Sequence, residues 1–163
     1  MTGQFLCALE AREFLRRGIV HERSLAWRKI ICMSSLHEMI PLASHANYAA
    51  SKAAINMLLK AMAQEYGRQK IRINSICPGA IITPINKVAW EKPEAYNNLM
   101  TLISNDRIGT TEDIRKPVVF PASDDSAYLT GASIFIDGGM TVFEGFATGG
   151  QEIKLHLFTN NLN

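Results

Sequence analysis

Apolar positions follow two different periods along this chain. In residues 3–17, GQFLCALEAREFLRR, Phe5, Leu6, Leu9, Phe14 and Leu15 recur at helical spacing, which predicts an amphipathic helix. Arg16 and Arg17 suit the carboxyl end of that helix, and Gly18 stops it. Residues 29–33, KIICM, are a short β-branched run and predict a strand buried on both faces. Residues 46–66, ANYAASKAAINMLLKAMAQEY, are rich in Ala, Leu and Met and predict the clearest helix, with Gly67 at its end. Residues 71–77, IRINSIC, alternate and predict a second strand.

The later chain is less regular. PGAIITP, residues 78–84, reads as a turn segment leaving the second strand. Residues 86–104 mix polar and aromatic positions and predict a helical excursion. TTEDI opens a further helix with Thr111 as cap candidate, and Pro117 and Pro121 are expected to damage it, at ~3 kcal/mol or more each. ASIFID, residues 132–137, predicts a third strand ended by Gly138 and Gly139. Helices alternating with short apolar strands indicate an α/β chain with a parallel sheet. The tail from Gly149 has no recognisable pattern.

Composition narrows the function classes. At 163 residues the chain is one domain. A net charge of +2 implies neither nucleic acid nor a membrane surface as partner. No apolar stretch approaches the ~20 residues that span a bilayer, and no secretory signal opens the chain. Cys7, Cys32 and Cys77 are scattered, so neither a disulfide framework nor zinc is indicated. Cys32 and Cys77 read as small core residues, and a reducing cytoplasm fits best.

The chemistry concentrates in S-x12-Y-x3-K, formed by Ser35, Tyr48 and Lys52. Tyr48 and Lys52 stand four apart on a helix and share a face. An ammonium nearby stabilises a phenolate, which tunes a phenol for general acid/base work at neutral pH. Ser35 follows an apolar strand, and the carboxyl ends of parallel strands are where α/β sheets place ligands. A Y-x3-K pair alone also reads as an ordinary helix-surface pair; Ser35 adds to it. Pro78 and Gly79 make a rigid strand exit, and Thr83 offers a polar group beside it; the same segment also reads as a plain turn. His37, Glu38 and His45 lack metal-ligand spacing and read as loop residues or a pocket wall. Trp90, Tyr96 and Met100 either line an apolar lid or anchor their segment to the core.

Four blocks in order, ICMSS, NYAASKAA, RINSICPGAIITP and YLTGASIFIDGG, together resemble the short-chain dehydrogenase/reductase family. SSLHEMIP, GAIITPIN and DGGMT look most similar to its bacterial glucose 1-dehydrogenase branch. The resemblance spans roughly residues 1–148 and implies part of a Rossmann-like doubly wound sheet, followed by an unpatterned tail, 149–163. It implies an oxidoreductase moving hydride between a hydroxyl or carbonyl substrate, glucose or a polyol, and NAD or NADP. Tyr48 would be the acid/base. Lys52 would hold the nicotinamide ribose and tune Tyr48, and Ser35 would orient the substrate oxygen. Pro78, Gly79, Ile81 and Thr83 would border the nicotinamide, and His37 would reach a sugar substrate.

The family is commonly tetrameric, and the helices at 3–17 and 46–66 would face a partner subunit. The family's T-G-x3-G-x-G phosphate turn and the residue that selects NAD or NADP have no counterpart in these 163 residues. The chain is therefore expected to be a truncated member, inactive alone. The alternatives are a non-catalytic remnant or an oligomerisation partner of full-length relatives.

Overall fold

The computed structural model describes residues 2–17 and 28–142. Gly18, the boundary at 148 and the tail from 149 lie outside the described residues.

Among the described residues, seven α-helices and β-strands build the fold. They are α1 (Thr2–Arg17), β1 (Arg28–Met33), α2 (Ala46–Tyr66), β2 (Ile71–Pro78), α3 (Pro93–Met100), α4 (Thr111–Ala122) and β3 (Ser133–Ile136). The three strands are parallel in the order β1-β2-β3. Arg28 pairs with Ile71 at one end of the first ladder, and Pro78 with Ile136 at the far end of the second. β2 is central and buried along nearly all its length. β1, expected to be buried on both faces, is instead an outer strand of this sheet and only half-buried, with Met33 exposed.

Alternation along β2 sends successive side chains to opposite faces. Ile71 and Ile73 pack with Ala8 of α1 and with Ile55, Leu59 and Met62 of α2. Arg72, between them, reaches the other face and the end of α4. The sheet is thus covered on both sides, as the doubly wound reading expects.

In α1 the buried contact is Ala8, whereas Leu6 is exposed. The side chains of Phe5, Phe14, Leu15, Arg16 and Arg17 are outside the described residues. α2 spans the expected 46–66, but Gly67 does not turn the chain. Its φ of −56° stays right-handed, and the left-handed residue is Lys70, at φ 58°. Residues 86–104 are not one helical stretch. A 3-10 turn covers Pro84–Ala89, and α3 follows from Pro93 to Met100. β3 has four residues rather than six. Asp137 ends it by accepting the Gly139 and Thr141 N–H groups into a turn where Gly138 and Gly139 take positive φ.

The largest departure concerns α4. Its cap is Thr110, not Thr111: the Thr110 N–H and hydroxyl both donate to Asp113 Oδ2, at 2.7 and 2.8 Å. The helix then runs unbroken through Pro117 and Pro121 to Ala122. The prolines delete the helix bonds to the Asp113 and Pro117 carbonyls. Separately, donors from elsewhere hold the carbonyls at the end of the helix. Arg72 Nη2 donates to Pro121 O at 3.3 Å and to Ser123 O at 2.8 Å. Ser123 and Ser126 hydroxyls donate to Phe120 O at 2.9 and 2.8 Å. Pro121 itself is fully buried, so its ring contributes packing that its missing N–H does not oppose. Among the described residues, no helix is long and apolar enough to cross a membrane.

Candidate active site

The carboxyl ends of β1 and β2 open onto one cavity of about 590 Å³. Its wall includes Ser35, Tyr48, Pro78, Gly79, Ile81 and Thr83, six of the positions expected from the sequence. The backbone delivers each for a local reason.

Ser35 leaves β1 in extended conformation and caps the 3-10 turn Leu36–Glu38. Its Oγ accepts the His37 N–H at 3.2 Å. A hydroxyl that accepts in this way keeps its own O–H for a ligand oxygen. Ser35 is only 6% exposed, so a hydrogen bond from it forms in a largely water-free wall.

Tyr48 lies in the first turn of α2 and is 40% exposed, with its ring at the cavity. The His37 ring meets it edge-on, with centroids 6.1 Å apart. Lys52, one turn further along α2, places Nζ 5.5 Å from the Tyr48 ring centroid. Nζ also donates to the carbonyls of Met33 and Ser34, each at 3.3 Å. Lys52 therefore stands behind Tyr48 and ties α2 to the end of β1. Lys52 and His37 back the cavity rather than line it.

The β2 exit is held by backbone contact. Gly79 N–H donates to Ile136 O at 3.0 Å. A Cβ at 79 would sit 2.7 Å from Asp137 Cα, so only glycine fits this approach. Ile81 bridges Gly109. Thr83 donates its N–H and hydroxyl to Asn86 Oδ1, at 3.1 and 2.7 Å. Asn86 Nδ2 returns to Ile81 O at 2.7 Å.

Sequence reasoning missed Asn86, whose signal was a Thr-x-x-Asn spacing behind Pro84. It also missed the α4 wall, made by Thr111, Ile114, Arg115 and Val118. Trp90, Tyr96 and Met100 do not line the cavity; Trp90 Nε1 instead reaches Asn86 Oδ1 at 3.4 Å, and Ile85 takes the place expected of an aromatic lid.

Glu38 is buried close to the Cys77 thiol, and His45 is exposed. Among the described residues no three His, Cys, Asp or Glu side chains gather to hold a metal. Burial pushes the Cys77 thiol up to about 11, opposed by the Ser75 hydroxyl and helped by the Glu38 carboxylate. Burial raises the Cys32 thiol as well. Cys77 is a core residue as expected, Cys32 is half-buried and Cys7 is exposed.

The fold and these motifs match a known family model, the one described as enoyl-(acyl carrier protein) reductase, over residues 1–141. The chain belongs to the short-chain dehydrogenase/reductase family. Within the family it is 46% identical over 120 residues to 3beta-hydroxysteroid dehydrogenase 1 of Eggerthella lenta, covering 74% of this chain and 46% of that one. It is 38% identical over 147 residues to glucose 1-dehydrogenase of Gluconobacter oxydans, covering 90% of this chain and 53% of that one. A solved short-chain dehydrogenase/reductase structure, 4-hydroxyisoleucine dehydrogenase complexed with NADH, superposes with a TM-score of 0.77 at 30% identity. It covers 86% of this chain and 56% of the other. The chain spans about half the length of the curated relatives it matches.

Proposed function

We propose that the protein transfers hydride between a secondary alcohol or its carbonyl and a nicotinamide cofactor, with Tyr48 as the proton donor and acceptor. The observation that carries this reading is the meeting of Ser35 and Tyr48 on one cavity wall, with the Lys52 ammonium behind the phenol. In oxidation the substrate hydroxyl gives its proton to Tyr48 while its carbon gives hydride to the cofactor. Ser35 donates its free O–H to the same oxygen and stabilises the charge that develops there. Lys52 offers its remaining N–H to a cofactor ribose, with its ammonium beside the phenol. His37 packs edge-on against the Tyr48 ring from behind the cavity wall.

NAD or NADP would lie along Pro78, Gly79, Ile81 and Thr83, where the backbone permits close approach. Relatives named for glucose and for a hydroxysteroid support an alcohol substrate, and the glucose or polyol class fits the His37 position. The 163 residues contain no glycine-rich phosphate turn. We infer that they grip a dinucleotide weakly, and that turnover draws on residues beyond them or on a second chain.

The test is nicotinamide reduction by the protein isolated from its native cells, with the 163-residue chain assayed in parallel. Sugar- or alcohol-dependent reduction abolished by Tyr48→Phe supports the reading. Unchanged turnover in that variant overturns it. Robust turnover by the 163-residue chain alone would overturn the inference of weak cofactor grip.

A second reading has its own observation. Leu6 on α1 and Met57 on α2 are exposed apolar side chains, 53% and 67% accessible. They suit association of this chain with longer relatives, as a homo- or hetero-oligomer. Size measurement of the native protein, alone and mixed with a full-length relative, separates that role from independent catalysis.

A further inference from the structure

The reaction above leaves unused the only charged side chain on the cavity wall among the described residues, Arg115. It stands one turn into α4, and Thr111, which opens that helix, lies on the same wall. Glu112 grips one edge of the guanidinium. Arg115 Nε lies 2.9 and 3.0 Å from the two Glu112 carboxylate oxygens, and Nη2 lies 2.6 Å from Oε2. Nη1 makes no hydrogen bond within the described residues, although the side chain is 66% exposed rather than packed away.

This arrangement sets a charge in a fixed plane with donors left over. A guanidinium is flat, and two bonds along one edge hold its plane. The remaining N–H groups match an acceptor with two oxygens. Ile81, Ile114 and Val118 line the same wall, so Arg115 is the charged point on an otherwise largely apolar surface. The start of α4 adds the positive end of a helix dipole on the same side. The other polar amide on the wall, Asn86, already has its oxygen and nitrogen engaged. An incoming anion therefore meets Arg115 and no competing cation on the wall.

We propose that Arg115 is the anion anchor of this cavity, binding a carboxylate or phosphate group of a molecule seated beside Ser35 and Tyr48. The inference rests on the reading of the cavity as a ligand site. One chemistry admits two sources, the carboxylate of a hydroxy-acid substrate or a phosphate of the dinucleotide. In either case Arg115 acts by binding and orientation, and it takes no part in proton or hydride transfer.

The test uses the isotope-labelled 163-residue chain and two probe pairs. Gluconate and glucose differ by a carboxylate, and nicotinamide mononucleotide and nicotinamide riboside differ by a phosphate. Backbone amide shifts at Ile81 and Thr83 report occupancy without involving Arg115. In one pair the anionic member should bind about tenfold more tightly than its partner, and Arg115→Gln should remove that advantage without changing the partner's affinity. The pair that responds identifies the source.

Glu112→Gln removes the adjacent negative charge and should tighten the anionic probe alone. Equal affinities within both pairs, or a preference that persists in Arg115→Gln, would overturn the proposal and leave the cavity reading standing. Silence at Ile81 and Thr83 with all four probes would overturn the cavity reading, and this inference with it.

Discussion

Lys52 holds its ammonium 5.5 Å from the Tyr48 ring centroid while donating to the carbonyls of Met33 and Ser34 at the end of β1. One side chain thus places a cation beside the phenol and seats its helix on the strand that delivers Ser35. Lys52→Met removes the charge and both bonds. We expect turnover in the active protein to fall by about 100-fold or more, and stability by about 1 kcal/mol, discounted for partial exposure. Steady-state kinetics and thermal melts check the two effects separately. A loss of stability with full turnover would refute the link to Tyr48.

Gly79 and Asp137 meet backbone to backbone where β2 and β3 end. The Cβ of an alanine at 79 would lie 2.7 Å from Asp137 Cα and 2.9 Å from its carbonyl oxygen. Backbone cannot yield as a side-chain tip can. Gly79→Ala should cost about 1–3 kcal/mol in denaturant unfolding and shift the cavity wall with it. A neutral result would show that the two strand exits separate freely.

Arg72 and Pro117 make opposite demands on α4. Arg72→Met strips donors from Pro121 O, Ser123 O and Leu129 O in a buried setting. We expect a loss of about 3 kcal/mol, with helical content falling at the end of α4. Pro117→Ala restores an N–H to the Asp113 carbonyl at a half-buried position. It should raise stability by about 1–3 kcal/mol, read as a higher denaturation midpoint. If Pro117→Ala destabilised the chain, the ring would have to contribute packing greater than one helix bond.

Cys77 gives a pH dependence with a definite sign. Burial is the main cause that raises its thiol from an ordinary 9.0 to about 11. The unfolded chain therefore ionises first. The stability linked to this group is full below pH about 9 and is lost as pH climbs through about 11. At neutral pH the thiol should resist alkylation while exposed Cys7 reacts, and Cys77 should label only on unfolding. Peptide mapping after alkylation checks this. Rapid labelling of Cys77 in the folded chain would contradict its burial.

Much of the fold was legible because short-range pattern determines it. KIICM, a β-branched run, and IRINSIC, an alternating one, both form strands of the parallel sheet, but only the second is buried; β1 is half-buried and Met33 is exposed. The Ala-rich run 46–66 is helical at those very bounds, because propensity and packing agree there. Ser35, Tyr48, Pro78, Gly79, Ile81 and Thr83 share a cavity because each lies at or just beyond an element whose end faces the same side of the sheet. The order of motifs along the chain also carried the family.

What the sequence by itself determined, then, is the alternation of strands and helices and the placing of a phenol and an ammonium one turn apart on a helix. Those features depend on residues a few positions apart, where backbone geometry alone sets the distance. Ser35, by contrast, reaches the same wall only through the packing of α2 on the end of β1. Tertiary structure decided the rest. The prolines of α4 read as helix breakers, yet the helix runs through both, and its end is held by Arg72, nearly fifty residues earlier in the chain. Arg115 stands out by no local pattern, and it is the packing of α4 over the sheet that sets it on the cavity wall. In both cases the deciding contact joins residues far apart in the chain, and the energy of such a contact depends on burial that no local pattern encodes.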